Sequence, residues 1–387
     1  MTLKYLNSIA AFVVLSAAAT AQPVDRESIT DKPTVEIRDM QVPSDEDRES
    51  ARRRRADTIA AAAIGEMDAG RIDQAIAMLD SAIILNPDEL SYRYEKAYAY
   101  LLKNDTESGI AVIDPMLDDT TATDLYFQLA GSLSAMRNDT AAAEAVLQRG
   151  LVRFPNSGRL HLELGNLDAM AQRYQLAVEH YEAGMRAEPS FPSNYYRAAL
   201  ILANSSEPIW GIVYGEMFMN IERATQRTAE IGVLLYNTYR RTISAGGDTT
   251  FSVRFSENTS AVHMSGGGRP EEVLGAMSRP EVVFELTAMQ SLAVSDKCRK
   301  EGVTVDCLDQ FRTEFTRRWF SQNLHEKFPS KLFDWQKLLI DLGYFDEYNH
   351  WLLGAGDPDA FYAWVDKNGD DFDLFQKWYR VNGMSLR

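Results

Sequence analysis

Only two cysteines, Cys298 and Cys307, and five histidines occur in the 387 residues. The histidines, His161, His180, His263, His325 and His350, are scattered without ligand-type spacing, and none stands in a His-Glu-x-x-His arrangement, which argues against a zinc enzyme. The absence of a Cys-x-x-Cys removes the usual redox pair, and the absence of a Gly-x-Ser-x-Gly elbow removes that kind of nucleophile. Positive charge is also short. The chain has 40 Lys plus Arg against 56 Asp plus Glu, a formal charge of −16, whereas phosphate neutralisation needs a concentrated basic surface. No nucleic-acid partner is expected. After the first 20 residues no uninterrupted apolar stretch reaches the roughly 18 residues of a membrane span. What is present, 45% hydrophobic residues, is enough for about two or three cores.

The first residues read as a secretory signal. Lys4 precedes an apolar run from Ile9 to Ala19, and Ala19-Thr20-Ala21 is a small-x-small cleavage site. A signal peptide over 1–21 would leave a chain beginning at Gln22, with no integral membrane segment after cleavage. The first cysteine is Cys298, so a lipid anchor is not expected. In an oxidising compartment Cys298 and Cys307 are read as one structural disulfide. Residues 22–43, with three Pro and many charges, have the composition of a disordered leader. Ser44-Asp45-Glu46-Asp47 looks like a capped helix start. The run Arg52-Arg53-Arg54-Arg55 follows among acids and is read as a solvated helix face.

From Ala56 the chain repeats itself. Small residues recur at one constant spacing, at Ala63, Ala97, Gly131, Gly165 and Ala199. A second series, Ala75, Gly109, Ala143, Ala177 and Gly211, keeps the same interval. Pro87, Pro155 and Pro189 form a third, with Thr121 in the missing slot. Small residues let helices approach closely, while Leu79, Ile113, Leu147 and Tyr181 fill the space behind them. Over about residues 56–220 the pattern resembles the tetratricopeptide repeat (TPR) family, whose unit is about 34 residues long. Met116 in a small slot, and Gly215 and Phe218 in place of a bulky and a small residue, depart from it.

The resemblance implies an all-α fold: a helix-turn-helix solenoid over 44–220 with about four and a half to five units, then a mainly helical C-terminal domain with at most a short β-hairpin. It also implies a protein or peptide partner on the concave face, which the first helix of each unit lines. Carried over unit by unit, that face would present Tyr94, Tyr98, Gln128, Arg159, Asn166 and Tyr196. Some family members clamp a peptide carboxylate with Lys and Asn, but Ala60 and Ile64 occupy the matching places. That ligand type is not expected.

Residues 218–243 are expected to continue as helix, with 221–244 capping the solenoid. Over 245–305 loops and short elements are expected, with Phe251–Phe255 alternating as a strand and Val303-Thr304-Val305 as its partner. Gly266-Gly267-Gly268 is followed by Arg-Pro-Glu-Glu, which suits a flexible loop better than a phosphate cradle. Residues 306–387 hold five of the six Trp, namely Trp319, Trp335, Trp351, Trp364 and Trp378, and read as an aromatic-rich helical bundle. Asp366, Asn368 and Asp370 imitate a calcium loop, but Asp371 replaces its Gly and Lys377 its Glu, so a helix-connecting turn is expected. No metal and no cofactor are expected. Residues 345–354 resemble the C-terminal parts of uncharacterised exported repeat proteins of Gram-negative bacteria. That implies a periplasmic or secreted setting. The function read from all this is an exported, non-catalytic TPR scaffold for protein–protein interaction. The alternative is an envelope enzyme acting on glycan or peptide through the C-terminal domain, with acids such as Asp357 and Asp359.

Overall fold

A computed structural model describes residues 44–245, 251–257 and 278–384. The expected signal peptide and leader, His263 and Gly266-Gly267-Gly268 lie outside the described residues. Helices come in pairs: α1 (Asp45–Asp68) with α2 (Ile72–Leu85), α3 (Leu90–Leu102) with α4 (Thr106–Ile113), α5 (Asp124–Met136) with α6 (Thr140–Arg153), α7 (Gly158–Met170) with α8 (Tyr174–Ala187), and α9 (Pro192–Leu202) with α10 (Pro208–Ile221). Asn86, Phe154 and Glu188 close α2, α6 and α8 immediately before the three prolines of the repeat, where a following Pro disfavours helical backbone. Arg52 to Arg55 are exposed on α1.

A fourth register runs through the turns. Gly70, Asn104, Asn138 and Gln172, again one repeat apart, have φ of 76°, 61°, 61° and 60°. Each ends a first helix, and the next residue's N–H reaches back five residues: Arg71 to Glu66 O at 2.8 Å, Asp105 to Tyr100 O at 2.9 Å, Asp139 to Ser134 O at 3.0 Å, Arg173 to Asp168 O at 2.8 Å. This left-handed closure satisfies carbonyls that a helix end leaves open. The carboxylates of Asp105 and Asp139 then accept from Ser108 N–H and Ala142 N–H, at 3.1 and 3.0 Å, and start the second helices.

The small residues mark the tight contacts. Ala63, Ala97 and Ala199, like Ala75, Ala143 and Ala177, are wholly buried. A Cβ on Gly131 would stand 2.7 Å from Leu147, and one on Gly211 would overlap the backbone of Ala203. The second unit is irregular for a reason in its own sequence: Pro115 ends α4 at Ile113 and turns Asp114–Met116 into a 3-10 helix, burying Met116.

The single helix expected over 218–243 is broken. After α10, Ala224 takes φ 62°, and α11 (Gln226–Thr242) begins behind Thr225. The Thr225 hydroxyl accepts from Thr228 N–H and the Thr228 hydroxyl accepts from Thr225 N–H, both at 3.2 Å. That reciprocal cap restarts the helix, while the apolar pattern runs across the break and conceals it. The expected strand is β2 (Phe251–Val253), but its antiparallel partner is β1 (Ile243–Ala245), with Ile243 opposite Val253. Val303-Thr304-Val305 is not a strand. The Thr304 side chain caps the next helix by accepting from Cys307 N–H at 3.1 Å, and the nearer segment closes the shorter loop.

The remaining helices are α12 (Pro280–Ala293), α13 (Asp296–Glu301), α14 (Val305–Ser321), α15 (Leu324–Lys327), α16 (Lys331–Leu342), α17 (Phe345–Leu353) and α18 (Pro358–Val381). A Cys298–Cys307 disulfide, Cα atoms 4.5 Å apart, joins α13 to α14. Trp319 is buried among Phe315, Phe328 and Phe333. The turn expected around Gly369 is instead a kink inside α18, where Asn368 alone leaves helical backbone (φ −122°, ψ 18°) and its side chain donates to Trp364 O at 2.9 Å.

One buried cluster runs from Leu162 and Tyr181 in the fourth unit through Phe218, Leu235 and Phe311 to Tyr379. At its centre lies an ion pair. Glu216 of α10 and Arg312 of α14 are 1% and 4% exposed and meet through two hydrogen bonds, of 2.6 and 2.8 Å. Tyr348 and Gln336 donate to the same carboxylate at 2.9 and 2.8 Å, and Arg312 donates to Asn349 at 2.7 Å and to Tyr239 at 2.9 Å. Nearby, the buried His350 ring stacks on Trp364 at 3.9 Å and faces Asp346 and Asp306 at 3.1 and 3.6 Å. Burial opposes its charge, but hydrogen bonds and charge from Asp346, with Asp309 behind, raise its pKa overall.

These contacts set expected stabilities. Gly211→Ala should cost about 1–3 kcal/mol by overpacking, whereas Gly65→Ala, in α1 with nothing within 4 Å of the new methyl, should gain up to about 1 kcal/mol. Thermal melts compare the two. Arg312→Met strands the Glu216 carboxylate and should cost about 3–5 kcal/mol, part of it recovered by adding Glu216→Gln. His350 has a folded pKa above its unfolded value, so its stabilisation is complete below about pH 6.5 and is lost as pH rises through the folded pKa. The melting temperature should fall from about pH 6 to about pH 8, and His350→Gln should flatten that slope.

Candidate partner-binding face

The first helices lie side by side: α3 packs on α5, α5 on α7, α7 on α9 and α9 on α11. Their side chains join across units at nearly the repeat interval. The Tyr92 hydroxyl bonds the Asp57 carboxylate; Ser157 donates to Asp124 at 2.7 Å, Gln128 to Glu163 at 2.8 Å, Arg227 to Ser193 at 3.2 Å and Tyr196 to Glu230 at 2.8 Å. The last two pairs, each 34 residues apart, put α11 where the first helix of a sixth unit would stand.

All six residues expected on this face are partly buried on the first helices. Gln128, Arg159 and Asn166 come together around Glu163. Asn166 donates to it at 3.3 Å, Arg159 lies 3.5 Å from the Gln128 side-chain oxygen, and Arg159 pairs with Asp124 at 3.1 Å. Tyr181 donates to Asn166 at 3.1 Å from the second helix. Tyr94 and Tyr98 form a separate group near the start of the array, and Tyr196 stands apart at α11, its ring 5.1 Å from the Arg227 guanidinium.

Sequence reasoning missed Tyr126, Glu95, Glu163 and Glu230. Tyr126 stacks on Tyr94 with ring centres 5.3 Å apart. It lies one repeat interval after Tyr92, a register not used for the face. Glu163 follows Arg159 by four and precedes Asn166 by three, a shared helix face that could have revealed it. Burial, then Glu95, pushes Tyr94 up to about 12; burial, then the Glu230 hydrogen bond, does the same to Tyr196. At neutral pH both are neutral phenols, able to donate.

In the C-terminal region the two acids suggested for hydrolysis stand at the start of α18. Asp357 caps α18, accepting from Ala360 N–H at 3.3 Å and from the Tyr236 hydroxyl at 3.3 Å, and Asp359 lies exposed in the first turn. Beside Glu216 the aromatic core leaves a void of about 20 Å³, room for about one water. A shallower cleft of about 250 Å³ lies between α13 and α14, lined by Lys297, Asp309, Gln310 and Thr313. Among the described residues, no three His, Cys, Asp or Glu side chains are grouped to hold a metal ion.

Comparison with known proteins bears on the array. Residues 60–119 and 131–190 match the family model described as Tetratricopeptide repeat. No curated protein matches the chain. Among solved structures it is similar to PilF of Pseudomonas aeruginosa at 16% identity, over 49% of this chain and 86% of that one, TM-score 0.41. For MamA of Desulfovibrio magneticus RS-1 the identity is 14%, the coverage 44% and 97%, and the TM-score 0.34. For YrrB, described as a TPR protein with an unusual peptide-binding site, the values are 15%, 44% and 87%, and 0.31. With the family match falling on helix pairs that keep step at one constant interval, residues 60–119 and 131–190 are tetratricopeptide repeats.

Proposed function

We propose that this chain is an exported, non-catalytic scaffold that holds a protein partner, or an extended segment of one, along the concave face lined by the first helices. Tyr94, Tyr98, Gln128, Arg159, Asn166 and Tyr196 would make the contacts. The observation that carries this reading is the continuous run of first helices whose partly exposed side chains are held by cross-unit hydrogen bonds. A surface already ordered loses little entropy on binding. Tyrosine rings add contact area for only two rotatable bonds each. Export into the cell envelope is supported by the N-terminal sequence and by the disulfide, which suits an oxidising compartment. None of the described helices is long and apolar enough to cross a membrane.

Crosslinking in the native cell, followed by identification of the captured proteins, tests the binding face. Tyr94→Ala with Tyr98→Ala should remove the captured partner while circular dichroism stays that of the parent chain; an unchanged set of crosslinked proteins would refute the assignment. Export predicts that N-terminal sequencing of the protein from the envelope fraction starts at Gln22, whereas a start at Met1 contradicts it.

A further inference from the structure

Glu95 of α3 is partly buried, and burial alone raises the pKa of its carboxyl. Among the described residues nothing hydrogen-bonds it or pairs with it; Lys96, next to it in the chain, pairs with Asp80 at 2.5 Å, and Arg159, which acts on Tyr94, pairs with Asp124 at 3.1 Å. A carboxylate withdrawn from water without a partner costs the fold and returns nothing to it. Its surroundings are aromatic. Tyr94 precedes it, Tyr98 follows one turn on, and Tyr126 of α5 stacks on Tyr94 at 5.3 Å with 26° between the rings. The electrostatics agree: burial comes first at all three phenols, but Glu95 adds to the shift at each, with Asp68 beside it at Tyr98 and Glu89 and Asp119 at Tyr126. Arg159, which acts on Tyr94 in the opposite sense, is held by Asp124.

We propose that Tyr94, Glu95, Tyr98 and Tyr126 form a cage for the guanidinium of an arginine carried by an extended segment of the partner protein, an assignment that rests on the first-helix face being the binding surface. Aromatic faces attract a cation held over them, and Glu95 supplies the acceptor for its N–H groups. Arginine fits better than lysine because its planar, weakly hydrated head can stack on a ring and donate sideways to a carboxylate at once. The acids Asp68, Glu89 and Asp119 around the patch favour the same sign of charge.

The test is selection of displayed random heptapeptides on the full chain and on Glu95→Gln. Peptides enriched on the parent should carry arginine at one common position. Replacing that arginine with citrulline, or Glu95 with Gln, should each weaken binding about tenfold or more, and the two changes together should weaken it little further. Glu95→Gln should melt no lower than the parent, since it removes a desolvated charge; a lowered melting temperature would make Glu95 a structural residue and overturn the proposal. Enriched peptides without arginine, or equal binding to Glu95→Gln, would overturn it while leaving the scaffold reading intact. If the parent enriches no peptide, the arginine cage falls, whereas the scaffold reading stands or falls by the crosslinking test.

Discussion

A carboxylate and a guanidinium meet where water cannot screen them, Glu216 against Arg312, and the C-terminal half of the molecule is arranged so that neither is left alone. Taking both charges out of water is costly, and their attraction offsets the cost only while the remaining lone pairs and protons are also matched. Tyr348, Gln336, Tyr239 and Asn349 do the matching, from α16, α17 and α11. Asn220 extends the network, donating to Tyr348 at 2.7 Å and accepting from Tyr379 of α18 at 2.9 Å. If any of these helices moved away, a buried charge or polar group would lose its partner. The pair therefore specifies one mutual arrangement of α10, α11, α14, α16 and α17 more sharply than apolar contact could.

The pair also explains the end of the array. A repeat stack leaves the apolar face of its last unit open. In the fifth unit Gly215 stands where a bulky residue would be, and a Cβ there would lie 2.9 Å from Leu235 of α11, so the incoming helix supplies the missing volume. Glu216 and Asn220, one and five positions on, then face the C-terminal helices rather than another repeat. The departures from the repeat pattern at Gly215 and Phe218 are thus the signature of a different neighbour.

The array itself follows another logic, in which units reuse local solutions: a left-handed residue closes the first helix at Gly70, Asn104, Asn138 and Gln172, an acid caps the second helix at Asp105 and Asp139, and small residues stand where backbones approach. Gln172 takes the left-handed conformation that Gly70 adopts freely, which shows the packing on either side overriding local preference. The face made by α3, α5, α7, α9 and α11 is a by-product of this stacking, and function can be written on it without disturbing the core. Residues there can serve a partner even at some expense to the fold, the role proposed for Glu95, which has no partner among the described residues.

The helix pairs, their prolines, the disulfide partners and the aromatic character of the C-terminal helices were all legible in the sequence, because each rests on spacing along the chain or on residue type. The break before α11, the pairing of β2 with β1 and the continuity of α18 were not. There, caps and local geometry compete with an apolar pattern that runs on regardless. Nor could the sequence join Glu216 to Arg312, 96 residues away, or separate Tyr94, Tyr98 and Tyr126 from the polar group around Glu163. Periodicity belongs to one helix at a time, whereas a buried ion pair or a cluster of rings exists only where helices distant in the chain come to rest against each other. Those contacts were decided by the tertiary structure alone.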